Sequence, residues 1–329
     1  MSERLSFLQP HDAEFFEREI ASFLPDRVYD AHCHVWERDV AQWSGPIGEI
    51  PVVGYEQYVQ LMQDIHPDRR LAAMFIPGFA GREVSARANA FAAEQVAAHP
   101  DYRGIFFIHP EDDPSWVRDE VNRLGLHGLK CYHTMSNVSP TWESPIEAFL
   151  PEAHVAMAHE EGWVITLHMV RSRGVADPGN IETIRRYCES YPGMKLILAH
   201  SARGFQPAHN LEGLERLKGL DNLYFDTSVN CEPMAHQAII RIIGHDKLMY
   251  GTDLPVSHVR GRSVPVADTF LWLYEETPVW VEKHLVIEPV LAGLEHLRSV
   301  KWACWSEKLT DTQVEDIFWN NAARLFGLE

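Results

Sequence analysis

The sequence has few cysteines, few basic residues and no long apolar run, and each shortage excludes a class of protein. Its five cysteines are an odd number, are scattered and form no C-x-x-C pair, which argues against a disulfide framework and a cysteine-rich zinc site. The 29 basic residues are outnumbered by 47 acidic ones, and the net charge of −18 disfavours nucleic acid and anionic lipid as partners. No stretch approaches the roughly 18 apolar residues of a membrane helix.

The N-terminal residues also lack the features of a signal peptide. They read MSERLSFLQPHDAEFF, with acidic residues where a secreted protein has a basic segment and an apolar core. We therefore expect a soluble, cytoplasmic protein. What the chain does have is 46% hydrophobic residues, enough for a large buried core, and 18 histidines. Any metal ion is expected to be held by histidines and carboxylates, because the cysteines are unsuited.

Eight short runs of β-branched and aromatic residues recur along the chain, each followed by a longer segment with helical periodicity. Alternating strands and helices imply parallel strands joined by right-handed crossovers. Eight such units over about 250 residues fit a closed (β/α)8 TIM barrel better than an open sheet. The predicted strands are 27–36, 70–78, 102–110, 126–133, 163–170, 194–200, 223–229 and 248–255.

No linker divides the chain, so we expect one α/β domain over 1–329. Its barrel core is predicted at about 27–285 and its C-terminal helices at about 286–329. Further helices are expected at Ala13–Phe23 and near 266–276. The loops 37–54 and 256–265 are long, and long loops after strands build the pocket of a barrel. Aromatic residues of the C-terminal region either pack on the barrel or form the contact of a homodimer.

The most informative motif is Asp30-Ala31-His32-Cys33-His34, at the end of the first predicted strand. Side chains alternate faces along a strand, so His32 and His34 point the same way and suit a shared metal ion. Taken alone, such a pair is more typical of ordinary half-buried histidines.

Three further polar residues end apolar runs. His168 ends the fifth predicted strand, His200 the sixth and Asp253 the eighth. A charged group at such a place is costly unless it is paired or bound to a metal. The carboxyl ends of TIM-barrel strands surround one opening, so we expect these residues to meet the H-x-H pair there.

Four segments, DAHCH, TLH, LAH and GTDLP, together resemble the amidohydrolase superfamily. The closing WNNAARLFGL resembles the tail of its amidohydrolase-2 branch, which is related to aminocarboxymuconate semialdehyde decarboxylase and to metal-dependent lactonases. The resemblance covers residues 27–328 and is not specific for a substrate. It implies one divalent metal ion, zinc or alternatively manganese. The implied ligands are His32, His34, His168 and Asp253, and His200 is the implied acid/base or polarising residue.

An ion held in this way would supply the chemistry of a hydrolase. Three neutral imidazoles and one carboxylate leave it a net positive charge, and a bound water would have its pKa lowered from about 15.7 toward about 7. Asp253 or His200 would then accept or pass on the proton.

Lys130, on the fourth predicted strand, leaves the metal count open. Two-metal members of the superfamily place a carboxylated lysine there, whereas members that resemble this chain mostly hold one ion, which is what we expect. The lysine could alternatively bind an anionic group of the substrate or extend to the barrel exterior.

Basic residues gather just after the strands of this acidic chain, namely Arg171, Arg173, Arg203, Arg260 and Arg262. Guanidinium groups bind carboxylates in a bidentate manner, which favours a small organic acid as the substrate; pairing with surface acids is the alternative. Arg203 is favoured because it follows His200 by three residues. The full set of predicted substrate-binding residues is Arg203, Lys130, Arg171, Tyr132 and His133.

Other residues receive weaker assignments. Trp36 and Trp43 are candidates for an aromatic wall or lid, and Asp226 for support of a ligand histidine. Histidines on predicted helices and turns, such as His66 and His154, are expected to be solvated.

Three functions remain in competition. The leading hypothesis is a metal-dependent hydrolase that cleaves an ester, lactone or amide of a small carboxylated acid. The second uses the same site for non-oxidative decarboxylation of an aromatic or unsaturated acid. The third is a non-catalytic barrel that binds an organic acid or another protein, for which the histidines would be dispensable.

Overall fold

The structure is a computed structural model that describes residues 5–37, 43, 46–78, 81–277 and 288–328. Short strands alternate with helical segments through most of the chain. The strands are β1 (Arg27–Glu37), β2 (Val52–Val53), β3 (Arg70–Pro77), β4 (Arg103–Gly104), β5 (Phe106–Phe107), β6 (Gly128–Tyr132), β7 (Val164–His168), β8 (Lys195–Leu198), β9 (Leu223–Asp226), β10 (Leu248–Met249), β11 (Gly261–Val266) and β12 (Thr269–Tyr274).

The strands of the core form a closed parallel barrel. They pair in the orders β2-β1-β3-β4 and β10-β9-β8-β7-β6-β5, and only β2 is antiparallel to its neighbour. β4 and β5 are two parts of one barrel strand, because the N–H of Ile105 between them donates to the Phe75 carbonyl at 3.1 Å. The ring closes where the segment after β10 meets β1, through a parallel bridge between Cys33 and Leu254. The predicted (β/α)8 TIM barrel is therefore confirmed.

Helices cover the outside of the barrel. They are α1 (Pro10–Glu19), α2 (Tyr55–Met62), α3 (Ser85–Val96), α4 (Pro114–Leu124), α5 (Glu152–Glu161), α6 (Pro178–Ser190), α7 (Pro207–Gly213), α8 (Pro233–Ile242), α9 (Ala292–Ser306), α10 (Asp311–Glu315) and α11 (Asn321–Phe326), and a single helical turn spans Ala199–Arg203. Strand residues are buried on both faces, as parallel strands between helices must be. None of the helices in the described ranges is long and apolar enough to cross a membrane.

Two helix predictions differ from the structure. The N-terminal helix begins at Pro10 rather than Ala13, because proline fits the first helical turn and Gln9 and Asp12 form a capping box. The helix expected near 266–276 is wrong, because β11 and β12 form an antiparallel hairpin there. Its two-residue turn places Ala267 at φ +50°, a backbone conformation typical of such turns.

Two predictions fall partly outside the described residues. The boundary expected near 285–286, between the barrel and the C-terminal helices, lies within 278–287. The loop predicted at 37–54 is described only at residues 37, 43 and 46–54, where Pro46–Glu49 forms a short 3-10 helix.

Candidate active site

Three of the expected metal ligands converge at the carboxyl-terminal mouth of the barrel. His32 Nε2 and His34 Nε2 each lie 3.6 Å from Asp253 Oδ1. Ligand atoms of these three buried residues all lie within 4.8 Å of one another. Neighbouring ligands of a tetrahedral zinc ion are about 3.4 Å apart when each lies about 2.1 Å from the metal. The spacing is therefore close to that of a metal site.

Hydrogen bonds behind the two rings fix which nitrogen faces Asp253. His32 Nδ1 donates to Asp226 Oδ2 at 3.0 Å, and His34 Nδ1 donates to the Pro77 carbonyl at 3.3 Å. These oxygens only accept, so each Nδ1 carries the proton and each Nε2 presents a lone pair. Two lone pairs and a carboxylate that face one another repel unless a cation lies among them. The residues present thus fit a bound cation.

Lys130 is a buried amine beside this cluster. Its Nζ lies 3.2 Å from His32 Nε2, and the side chain has no solvent exposure. It therefore points into the barrel, and the alternative in which it extends to the exterior is wrong. Burial lowers the pKa of Lys130, while the nearby Asp253 and Asp226 carboxylates oppose that shift. A protonated Lys130 donates to the lone pair that a metal ion needs, so this hydrogen bond and ion binding at His32 exclude each other.

Asp226, at the end of β9, ties several parts of the site together. Besides His32, it accepts hydrogen bonds through Oδ1 from the backbone N–H groups of His200 and Ser228, at 3.0 and 3.1 Å. Burial alone would raise its pKa, but His32 and His200 hold the pKa well below the usual range of a carboxyl. The sequence suggested a supporting role but could not show where this side chain points.

Asp30 supports the other side of the cluster. Its carboxylate accepts from the Thr252 N–H at 2.8 Å and the Thr252 hydroxyl at 2.5 Å. Thr252 directly precedes Asp253, so these bonds hold the loop that presents the proposed ligand. Burial raises the pKa of Asp30 to about 7 despite these bonds. Asp30 begins the DAHCH motif, but the sequence alone indicates no function for it.

His168 and His200 form a hydrogen-bonded pair next to the cluster. His200 Nδ1 lies 3.0 Å from the Ser228 carbonyl, so it carries a proton, and Nε2 accepts from His168 Nδ1 at 3.0 Å. Burial lowers the pKa of both rings and favours their neutral forms. His200 Nδ1 lies 3.8 Å from Asp253 Oδ2. The structure does not bring His168 into the three-residue cluster, and Nε2 is the ring nitrogen that its bond to His200 leaves available.

The arginines that follow the strands differ in their partners. Four are ion-paired: Arg171 with Asp177 (2.8 Å), Arg173 with Asp268 (3.0 Å), Arg260 with Asp12 (2.6 Å) and Arg262 with Glu232 (3.1 Å). Arg171 borders a separate surface depression and is not brought to the cluster. Arg203 makes no ion pair with any residue in the described ranges, and its guanidinium lies 5.6 Å from the centre of the Phe270 ring.

Aromatic side chains surround the pair of histidines. The Tyr132 ring lies 4.7 Å from His168, and the His133 ring lies 5.8 Å from it. Phe205 lies 5.6 Å from the His200 ring and stacks at 4.6 Å on Phe270 of the hairpin. The β11–β12 hairpin thus packs over this side of the site. Sequence reasoning missed it, although the alternation of Phe270, Trp272 and Tyr274 could have indicated a strand.

Trp43 lies on the other side of the cluster. Its ring centre is 5.2 Å from that of His34, and it also lines a cavity of about 640 Å³ together with Pro255 and Tyr274. Trp36 is buried and packs 5.7 Å from Trp43. Trp43 therefore forms part of a wall near the site, whereas Trp36 belongs to the core behind it.

The backbone that presents His200 is unusual. His200, Ser201, Ala202 and Arg203 have φ values of +58°, +51°, +58° and +57°, which makes one left-handed helical turn. Residues with a side chain disfavour this conformation by about 1–2 kcal/mol each. Such strain persists only where surrounding contacts hold it, and it concentrates at functional sites.

Comparison with known proteins gives matches to a family model and to solved structures. A family model described as Amidohydrolase, of the amidohydrolase-2 type, matches residues 29–328. A search of curated proteins gave no match. Among solved structures, an amidohydrolase from Burkholderia multivorans with bound zinc is similar at 14% identity and a TM-score of 0.59, covering 92% of this chain and 100% of that one.

Two further solved structures have named activities. One is described as a probable 2-pyrone-4,6-dicarboxylic acid hydrolase from Acinetobacter baumannii with citric acid bound; it is 14% identical, with a TM-score of 0.57, over 92% of this chain and 99% of that one. The other is a 2,6-dihydroxybenzoate decarboxylase in complex with 2,6-dihydroxybenzoate; it is 15% identical, with a TM-score of 0.57, over 92% of this chain and 100% of that one. At these identities the likeness shows the fold.

Proposed function

This chain belongs to the amidohydrolase family, and from that premise we propose that it is a metal-dependent hydrolase of an ester, lactone or amide bond in a small carboxylated acid. The observation that supports this most is the cluster of His32, His34 and Asp253, whose lone pairs and charge face one another. A buried arrangement of this kind needs a positive charge beside it, which a metal ion, or Lys130 when it is protonated, can supply.

His32, His34 and Asp253 would hold the ion, and His168 would complete the set through Nε2. Zinc suits this combination of nitrogen and oxygen ligands, and one structural relative contains it. When bound, such an ion supplies Lewis-acid polarisation of a substrate oxygen and lowers the pKa of water. Asp226 keeps the His32 proton on Nδ1, so Nε2 carries the lone pair that would bind metal once Lys130 no longer donates to it.

Side chains of the site would then accept the proton that water loses during hydrolysis. Asp253 accepts it at a carboxylate oxygen, and His200 lies 3.8 Å from that carboxylate. His200 is kept neutral by burial and oriented by the Ser228 carbonyl. The 3.0 Å bond in which His168 Nδ1 donates to His200 Nε2 orients the His168 ring, so that its Nε2 remains available for the proposed ion.

Arg203 is the proposed anchor of the substrate carboxylate. The other four arginines near the mouth already have carboxylate partners. Arg203 is half-buried and close enough to His168 and His133 to lower the pKa of each, in addition to the larger effect of burial. An arginine in this situation binds a planar carboxylate through two parallel hydrogen bonds.

Decarboxylation of an aromatic acid is the second candidate. It is favoured by the rings of Tyr132, Phe205 and Phe270 around the site, which suit a planar substrate. The structural relatives include both kinds of enzyme.

Product analysis separates the two reactions. The zinc-loaded protein is incubated in ¹⁸O-labelled water with 2-pyrone-4,6-dicarboxylate and other carboxylated lactones and esters, and in parallel with 2,6-dihydroxybenzoate. Hydrolysis places ¹⁸O in a new carboxylate, whereas decarboxylation releases carbon dioxide. Turnover by the metal-free protein at the rate of the loaded protein would contradict both.

A further inference from the structure

The left-handed turn over residues 200–203 places two proposed functional side chains on one side. A helical turn has about 3.6 residues, so residues three apart lie on nearly the same face. His200 at the start of the turn contacts His168, and Arg203 at its end lies against Phe270. An extended backbone here would place residues 200 and 203, which are three apart, on opposite faces. The orientation of both therefore depends on the turn being held in its strained form.

A hydroxyl in the middle of the turn bonds to a buried histidine on α8. Ser201 Oγ lies 2.7 Å from His236 Nδ1, and both residues are fully buried. His236 Nε2 lies 2.9 Å from the Asn230 carbonyl, which can only accept, so Nε2 carries the proton. Nδ1 is then the acceptor, and the Ser201 hydroxyl donates to it. Burial lowers the pKa of His236 to about 4, so this acceptor persists at neutral pH.

Other bonds hold the carbonyls of the turn. The Asn210 side chain donates to the Ser201 carbonyl at 2.8 Å, and the Asn230 side chain donates to the His200 carbonyl at 3.2 Å. The same Asn230 also accepts from His236 through its own carbonyl. His236 is therefore connected to the turn twice, directly through Ser201 and indirectly through Asn230.

We propose that Ser201 and His236 are positioning residues: their hydrogen bond holds the left-handed turn, so that His200 and Arg203 face the site together. This inference rests on the proposed function for the importance of those two side chains. The role of the bond itself does not depend on which reaction is catalysed. Neither residue is exposed, so neither is expected to touch substrate.

Two substitutions of His236 separate positioning from simple packing. In His236→Asn, the side-chain oxygen lies near the original Nδ1 and can still accept from Ser201. In His236→Gln, the amide reaches the original Nε2 and can donate to the Asn230 carbonyl, but it offers Ser201 no acceptor. Ser201→Ala removes the donor. Ala202→Gly, in the same turn but without a side-chain hydrogen bond, is the matched control, because glycine adopts positive φ readily.

The first readout is the crystal structure of each variant at residues 200–203. We expect positive φ values to be lost in Ser201→Ala and His236→Gln and retained in His236→Asn and Ala202→Gly.

The second readout is labelling of arginine side chains in the zinc-loaded protein by phenylglyoxal, followed by mass spectrometry. Modification of Arg203 should rise about tenfold in the first two variants, as expected when a half-buried group becomes accessible, and stay unchanged in the others. Arg173, which is surface-exposed and ion-paired, is the internal reference.

The inference is overturned if Ser201→Ala keeps all four positive φ values and the Arg203 labelling rate of the natural protein. If Ser201→Ala does not fold, His236→Asn and His236→Gln are compared instead. Equal labelling of Arg203 in these two variants contradicts the proposal. Neither readout uses a substrate, so failure of the proposed reaction leaves the test intact. With a turned-over substrate, Ser201→Ala and His236→Gln should raise KM and lower kcat together, and His236→Asn should restore both.

Discussion

Replacing Asp226 by asparagine tests how the site prepares His32 for a cation. The carboxylate accepts the His32 Nδ1 proton at 3.0 Å and holds two backbone N–H groups with its other oxygen. Asparagine can keep the second set of bonds through its oxygen. Its amide nitrogen would then face the His32 Nδ1–H, and two donors at this distance repel. His32 is expected to move its proton to Nε2, the atom that faces Asp253.

The size of the effect follows from what is lost. A hydrogen bond to a charged group contributes about 1.5–3 kcal/mol, and each 1.4 kcal/mol is about tenfold in an equilibrium constant. Removing the partner of a metal-binding histidine typically weakens metal binding by about 10–100-fold. We therefore expect Asp226→Asn to bind zinc about 10–100-fold more weakly. The pKa of Asp226 is held well below its usual range, so the carboxylate stays charged and the difference should not depend on its titration at neutral pH.

Zinc affinity is measured by competition with a chromogenic chelator at pH 7.5, and stability by urea unfolding. Asp64→Asn is the matched control: Asp64 is also buried and accepts from the Phe7 N–H at 2.6 Å, but it lies outside the cluster. Both variants should lose stability, whereas only Asp226→Asn should lose zinc affinity. Unchanged zinc binding in folded Asp226→Asn would refute the reasoning about the His32 proton.

Three further results are expected. Arg203→Ala should raise KM for a carboxylated substrate by about 10–100-fold through loss of a charge-assisted bidentate contact, whereas Arg173→Ala, measured in the same steady-state assay, should change it little. Burial lowers the pKa of His66 to about 3, so the unfolded chain binds a proton below pH 6.5 that the folded one does not, and stability should fall by about 1.4 kcal/mol per pH unit from this group as the pH drops. Urea unfolding at pH 7 and pH 5 should show that His66→Gln loses less unfolding free energy between the two pH values than the natural protein does. An equal loss in both proteins would contradict this. Lys130→Met should hold at least as much zinc as the natural protein, because it removes a positive charge 3.2 Å from His32 Nε2; a lower zinc content by elemental analysis would indicate that Lys130 helps to bind metal.

Much of the fold follows from local patterns in the sequence. Short β-branched runs alternate with helical periodicity, and the parallel barrel is a consequence of that order. The position of His32 and His34 on one face follows from the two-residue period of a strand. The failure near 266–276 is instructive, since FLWLY satisfies helix and strand patterns alike over so short a run. Pairing with β11 decided the outcome.

The partners of individual side chains could not be read from the sequence. Five arginines follow the strands. Its spacing from His200 favours Arg203 in the sequence, but the carboxylate partners of the other four become evident only in the fold. His66 and His154 were expected to be solvated, but both are buried, and His66 Nε2 lies 3.0 Å from the Tyr250 hydroxyl. The left-handed turn is likewise a product of tertiary contacts, because none of its four residues is a glycine.

The most direct test of the account is the metal content of the protein purified without chelator. Elemental analysis is applied to the natural protein, to His32→Ala and Asp253→Ala, and to His99→Ala, which stacks on Tyr55 outside the cluster. The account predicts about one divalent ion per chain in the natural protein and in His99→Ala, and nearly none in the other two. A natural protein that binds no ion even after incubation with zinc, or cluster variants that keep a full ion, would contradict it.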